Sequence, residues 1–151
     1  MRERVMRVLL VLMAVSSGFI GLWALFAPLS FYDDFPGAGR HWVSADGPYN
    51  EHLVRDVGGL YLALTVVTVV AAIVLGRVIV RTAAVATLMF AIPHLAYHSA
   101  HTDLYMTTDA VASLFSLGVG VVIPLIVLVL VSRPEGGQLR QERGSEQGAL
   151  E

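Results

Sequence analysis

Cysteine and lysine are absent from this chain of 151 residues, and charged residues of either sign are scarce. Without cysteine the chain forms no disulfide, no thiolate metal site and no haem attachment through Cys-x-x-C-H. A net charge of −2 with no basic patch argues against a nucleic-acid partner. Apolar residues make up 56% of the chain, charged residues 15%, and the mean hydropathy is +0.69. This composition indicates an integral membrane protein of one domain.

The apolar residues are gathered into four long runs, which predict an all-α integral membrane protein. We expect an antiparallel bundle of four transmembrane helices at about 8–26, 51–75, 82–101 and 109–131, which together form one domain over 1–131. A signal peptide is the competing interpretation of the first run, but the run is long and lacks a small-x-small cleavage site. The polar segment 132–151 is predicted to be a disordered cytoplasmic tail.

The arginines predict the orientation in the membrane. Eight of the ten lie in the N-terminal segment, in a basic turn at 76–81 and in the tail, whereas Arg40 and Arg55 belong to the opposite side. The positive-inside rule therefore places both termini in the cytoplasm. Arginine without lysine, together with abundant Ala, Val and Gly, is typical of a GC-rich bacterial genome, so we expect a multi-pass protein of the bacterial inner membrane.

The connection 27–50 is the longest segment between helices, and it is rich in Gly, Pro and aromatic residues. Gly and Pro break regular structure, and aromatic side chains suit a segment that lies against lipid headgroups. A connection this long without its own secondary structure is often a lid or binding loop. The alternative is an interfacial elbow that only joins two helices.

Three of the five histidines lie close together at the end of the third helix, as His94, His98 and His101. Spacings of four and three residues place them, with Tyr97, on one helical face. Polar titratable groups at the edge of a membrane are costly and usually functional.

The beginning of the second helix repeats this spacing, after Asn50 as the predicted N-cap. The two helices run in opposite directions, and each residue advances about 1.5 Å along the axis. The four residues expected at nearly one level near the outer boundary are His52, Asp56, His98 and His101. The adjacent Gly58 and Gly59 would let another helix or a ligand approach the backbone closely.

These side chains predict a metal site, because imidazole and carboxylate groups suit Zn, Cu or Fe. The candidate ligands are His52, Asp56, His94, His98 and His101. Supporting residues or alternative ligands are Glu51, Arg55, Tyr97, Asp109 and His41. The predicted function is metal handling, or a metal-dependent reaction on a membrane-soluble molecule; the pattern does not decide whether the protein is an enzyme.

Three alternatives remain open. The first is proton handling or acid–base chemistry without metal, with Asp56 beside the histidines. The structural alternative for Arg55 and Asp56 is that either residue ties two helices together. The second is haem b bound between a histidine of helix two and one of helix three. The third is an accessory subunit of a larger membrane complex or a homo-oligomer, with structural histidines and with Gly118 and Gly120 as small packing residues.

Two sequence stretches also resemble a known group. Asn50-Glu51-His52-Leu53-Val54-Arg55-Asp56-Val57-Gly58-Gly59 precedes a helix that ends in Pro93-His94 and Tyr97-His98. This combination resembles the small DoxX-like bacterial membrane proteins. The resemblance covers most of the membrane part and implies a fold of four short helices; it implies no catalytic residue.

Overall fold

The computed structural model describes residues 1–133, which are largely helical. Four helices are each long and apolar enough to cross a membrane: α1 (Arg2–Phe26), α3 (Glu51–Val74), α4 (Arg77–Ala100) and α5 (Thr107–Ser132). The prediction of four long apolar helices is therefore confirmed. Of the segment expected to form a tail, Ser132 belongs to α5, and residues 134–151 lie outside the described part of the chain.

The long connection has more regular structure than its sequence indicated. It contains the helix α2 (Pro28–Asp34), the strands β1 (Pro36–Gly37) and β2 (Arg40–His41), which pair antiparallel, and a 3-10 turn at Ser44–Asp46. Pro28 begins α2 at a position where its missing N–H costs nothing. The expectation of a connection without secondary structure is wrong. A second 3-10 turn, Thr102–Leu104, joins α4 to α5.

The ends of the helices test the predicted caps and turns. The Asn50 side chain accepts a hydrogen bond from the Leu53 amide at 3.1 Å, which confirms the cap of α3. The predicted basic turn at 76–81 is wrong, because only Leu75 and Gly76 separate α3 from α4. Arginine is a good helix former, so Arg77 begins the helix instead of ending a turn.

Helix α5 begins at Thr107, two residues before the predicted start at 109, and its N-cap Met106 makes no side-chain hydrogen bond.

Helices α1 and α3 pack against each other with their backbones close, and they run antiparallel. A Cβ atom on Gly58 would lie 2.5 Å from the Leu25 nitrogen, and one on Gly21 would lie 3.0 Å from the Gly58 carbonyl oxygen. Further along, the Ser17 and Thr65 hydroxyls form a hydrogen bond of 2.8 Å between the two helices. The close approach expected at Gly58 is confirmed, whereas Gly59 faces open space within the described residues.

The two ends of the helices have different cores. We call the end with residues 27–50 and 101–106 the loop end, and the opposite end the turn end. At the turn end one buried apolar cluster draws on all four long helices, through Met6, Leu10, Ala71, Ala72, Val80, Ala83, Ala84, Val127 and Val131. At the loop end the buried cluster consists of Ala24, Phe31 and Val54, joined by Ile20, Trp23, Phe35, Val43 and Tyr49. These residues come only from α1, α2, α3 and the connection, so α4 and α5 are held there by other contacts.

Candidate functional site

The histidines continue the buried stripe of α4 towards the loop end. Ala84, Leu88 and Ala91 are buried along one face of the helix at spacings of three and four residues. The same spacing leads to His94 and then to His98, and both are half-buried. Imidazole rings therefore occupy the positions where an apolar stripe would otherwise be completed.

A series of aromatic rings connects these histidines with α3. The Tyr61 ring of α3 lies 5.1 Å from the Phe90 ring of α4, and Phe90 stacks on His94 at 5.0 Å. The centroids of His94 and His98 are 4.7 Å apart, as expected for residues four apart on one helix. The prediction that these two side chains share a face agrees with this contact.

Tyr105 joins His98 to the connection. Its hydroxyl donates a hydrogen bond to the Trp42 carbonyl at 3.1 Å and lies 3.3 Å from His98 Nδ1. A carbonyl oxygen only accepts, so the Tyr105 proton points to Trp42 and the hydroxyl oxygen accepts from the Nδ1–H of His98. This arrangement leaves His98 Nε2 with a free lone pair, which can accept a proton or bind a metal ion.

The Tyr105 hydroxyl keeps its proton well beyond neutral pH. Burial, followed by the negative charge of Asp46 and the proximity of Tyr97, raises the pKa of Tyr105 to about 12. The hydroxyl is therefore a hydrogen-bond donor at any physiological pH, and the tautomer of His98 that depends on it is kept.

The carboxylate that meets the α4 histidines comes from the connection. Asp46 accepts a hydrogen bond of 3.0 Å from the Tyr97 hydroxyl, and its charge also acts on His94 and His98. Tyr97 in turn stacks on His101 with centroids 4.2 Å apart. His101 lies just beyond the last turn of α4 and donates its Nδ1–H to the Tyr97 carbonyl at 2.8 Å.

One further contact holds the connection on α5, and one buried polar group near it has no partner. Arg40 forms an ion pair of 2.9 Å with Asp109, and its guanidinium lies 5.8 Å from the centre of the Trp42 ring. The Trp42 indole N–H is buried and has no acceptor among the described residues. We call the group His94, Tyr97, His98, Tyr105, Trp42 and Asp46 the loop-end site.

The predicted site residues of α3 form a separate group. His52 Nε2 lies 3.3 Å from Asp56 Oδ2, and these side chains are 88% and 58% exposed. Arg55 pairs with Glu51 at 2.8 Å and also donates to the Leu25 carbonyl of α1, so the expected tie between helices is confirmed for Arg55. Haem b bound between the two helices would need His52 as its ligand from α3. His52 is instead paired with Asp56 at the surface.

The remaining candidates have local partners. His41 contacts the Asp33 carbonyl through Nδ1 at 2.5 Å, and Asp109 is the partner of Arg40. Over residues 1–133, no three His, Asp or Glu side chains lie close enough together to bind one metal ion. A metal at this end would therefore depend on the His94–His98 pair with ligands that move or come from elsewhere, and the metal site stays a prediction.

Sequence reasoning missed Asp46, Tyr105 and Trp42. Tyr105 follows the histidine face by only four residues, and Asp46 precedes a glycine in a turn, but nothing local indicates that they meet. Comparison of the chain with known protein families, with curated proteins and with solved structures gives no match. The resemblance to the DoxX-like group consequently stays a prediction.

Proposed function

We propose that the four long helices form an antiparallel bundle in the bacterial inner membrane, with both termini and the turn end in the cytoplasm. Six arginines and one glutamate belong to the turn end among residues 1–133, whereas the loop end carries Arg40, Arg55 and seven acidic residues. This asymmetry follows the positive-inside rule. The chain lacks cysteine, so single cysteines introduced as Ala45→Cys and Glu3→Cys report each side without further changes. An impermeant maleimide should label intact spheroplasts only at position 45; labelling only at position 3 would invert the proposed orientation.

We propose that the loop-end site binds a membrane-soluble molecule that carries a hydroxyl group. The observation that carries this proposal is the free Nε2 of half-buried His98, whose other nitrogen is fixed by Tyr105 under the connection. His98 Nε2 is not fully enclosed by the described residues, so a donor from a bound molecule can reach it. The unmatched Trp42 N–H is fully enclosed, so Trp42 would have to turn to donate to a second polar atom of the same molecule.

The chemistry available to such a molecule is proton transfer and polarisation. His98 Nε2 would accept the hydroxyl proton, and Tyr105 would stabilise the resulting imidazolium through Nδ1. Asp46 lies close enough for its negative charge to act on both α4 histidines. The rings of Phe90 and Tyr61 offer an apolar surface for the body of the molecule.

The test is to identify what the protein retains. Wild-type protein is reconstituted in nanodiscs made from its native lipid extract, and the bound small molecules are released and measured by mass spectrometry. We expect one hydroxyl-bearing molecule that is retained by wild type, strongly depleted in His98→Leu and Tyr105→Phe, and unchanged in the matched control His52→Leu. Equal retention in wild type and His98→Leu would contradict the proposal.

A metal ion on His94 and His98 is the second candidate. Its supporting observation is the same hydrogen bond, because metal-bound histidines usually donate their other ring N–H to a neighbouring acceptor. Asp46 would have to leave the Tyr97 hydroxyl and approach the imidazoles to complete a three-ligand site of the kind that Zn uses in catalysis. Elemental analysis distinguishes the candidates: about one metal per chain, lost in His94→Ala/His98→Ala, would favour the ion.

If neither a metal nor a small molecule is retained and the protein copurifies with a larger complex, an accessory role is favoured.

A further inference from the structure

Two apolar grooves face outwards at the turn end, and an arginine lies at one end of each. The groove between α1 and α3 has a volume of about 340 Å³ and ends at Arg7; its other lining residues are Val11, Ala14, Val15, Val69, Ala72 and Ile73. The groove on α5 has a volume of about 270 Å³ and ends at Arg133; its other lining residues are Val122, Leu125, Ile126, Val129 and Leu130.

The length of each groove matches one leaflet of a bilayer. From Arg7 to Val15 the α1 axis rises about 12 Å, and from Val122 to Arg133 the α5 axis rises about 16 Å. Half of a typical hydrocarbon core is about 15 Å thick. An acyl chain that follows either groove would therefore begin beside the arginine and end near the middle of the membrane.

The charge at this end selects the head group. Arg7 is exposed, and its side chain has no hydrogen bond or ion pair with other residues in the range 1–133. The only acidic residue near it in that range is Glu3. A guanidinium binds phosphate through paired N–H donors, and basic residues at the membrane surface attract anionic lipids.

We propose that the groove between α1 and α3 binds an anionic phospholipid, with one acyl chain against Val11, Val15 and Val69 and the phosphate on Arg7. The α5 groove holds a second lipid of the same class, with its phosphate on Arg133. Both lipids belong to the leaflet at the turn end. The proposal does not depend on what the loop-end site binds.

The experiment uses native mass spectrometry of the full chain released from nanodiscs that contain phosphatidylglycerol or phosphatidylcholine. Wild type should retain up to two phosphatidylglycerol molecules and fewer phosphatidylcholine molecules. Arg7→Gln should weaken retention of the first lipid by about fivefold, because it removes the charged, paired N–H donors that bind the phosphate. The matched control Arg4→Gln, at the same end but outside the groove, should change it by less than about twofold.

A second pair of variants tests the acyl chain. Val69→Phe fills the groove between α1 and α3 and should reduce retention of the lipid bound there, whether phosphatidylglycerol or phosphatidylcholine, whereas Val66→Phe, on the same helix outside the groove, should not. Helical content measured by circular dichroism shows that each variant is folded. Equal effects of Arg7→Gln and Arg4→Gln on lipid retention would show that only the overall positive charge attracts the lipid, and would overturn the proposal. The proposal would also be overturned if Val69→Phe converted a dimer to a monomer and left the number of bound lipids unchanged. The groove would then be occupied by a second copy of the chain.

Discussion

The α1–α3 interface and the contact of the connection with α4 and α5 lie at the same end of the molecule, but they are built differently. The first depends on glycine, which lets Leu25 approach the backbone at Gly58. The second depends on hydrogen bonds, stacked rings and one ion pair, at Tyr105, Asp46 and Arg40. Close backbone packing has one solution and tolerates no added atom, whereas polar contacts exchange partners at small cost. We therefore expect the α1–α3 interface to supply stability at the loop end, and the contact of the connection with α4 and α5 to rearrange more easily.

The most severe way to break the α1–α3 side is to add a methyl group at Gly58. In Gly58→Ala the new Cβ would meet the backbone of Leu25, which cannot rotate away, so the helices must separate. We expect a loss of about 1–3 kcal/mol or more in the free energy of unfolding, measured in mixed detergent micelles. The neighbouring Gly59→Ala has open space and should be near neutral. Alanine has a higher helix propensity than glycine, so a comparable loss in both variants would show that the contact with Leu25 is not its cause.

Removing the hydrogen bond between α1 and α3 should have a smaller effect. Ser17→Ala leaves Thr65 without its partner across the interface, although Thr65 still donates to the Tyr61 carbonyl. Hydrogen bonds between membrane helices contribute about 0.6 kcal/mol on average, so a loss of that size is expected in the same unfolding assay. The control is Ser16→Ala at the adjacent, exposed position. If the control loses as much stability, the interhelical bond contributes nothing measurable.

On the other side, Tyr105→Phe should loosen the connection without separating the helices. It removes the donor to the Trp42 carbonyl and the acceptor for His98, bonds that contribute about 0.5–1.5 kcal/mol each when well shielded. Hydrogen exchange should accelerate over 36–46 and remain unchanged in α1 and α3. Tyr97→Phe removes a more exposed bond, to Asp46, and should accelerate exchange less. Hydrogen exchange that accelerates equally throughout the chain would contradict the proposed difference between the two sides.

The ion pair between Arg40 and Asp109 should contribute least to stability. Both side chains remain partly exposed, at 40% and 24%, and such pairs contribute about 0.2–1 kcal/mol. A double-mutant cycle with Arg40→Gln and Asp109→Asn measures the interaction, which should weaken in high salt. An interaction energy that does not change with salt would indicate a contact more shielded than this one.

Alkaline pH gives a further test of the polar side. The pKa of Tyr105 is raised from 10.0 to about 12 in the folded chain, so its proton is bound more tightly there than in the unfolded chain. The stability that this difference contributes is fully present below pH 10 and is lost as the pH rises through 12. The tyrosinate absorbance of wild type minus Tyr105→Phe should titrate well above 10. A difference that titrates at the ordinary value would contradict the buried hydroxyl.

Local sequence signals were enough for the helices and for some of their contacts. Apolar runs gave the four long helices, Asn50 gave a cap and Gly58 gave a close approach. Each of these depends on residues that are neighbours in sequence or on one helical face.

The rotation of α3 was not predictable in this way. The spacing of His52 and Asp56 shows that they share one face of the helix. It does not show in which direction that face points. Val54 and Gly58 pack towards the interior, and Asp56 is about 200° from either at 100° per residue, so the predicted ligands face outwards. The meeting of His98 with Tyr105 and Trp42 depends on where a long connection returns, which no local pattern contains.

The attachment of the connection also sets the order in which the protein can be completed. The connection is covalently part of the α1–α3 pair, yet its polar partners are Tyr97, Tyr105 and Asp109. During synthesis the N-terminal elements form first. The α1–α3 pair and the apolar contacts of the connection with it can therefore assemble early, while the polar contacts with α4 and α5 wait until the ribosome has passed residue 109. A chain truncated before that point would keep its first helical pair but lack the contacts that fix the connection on α4 and α5.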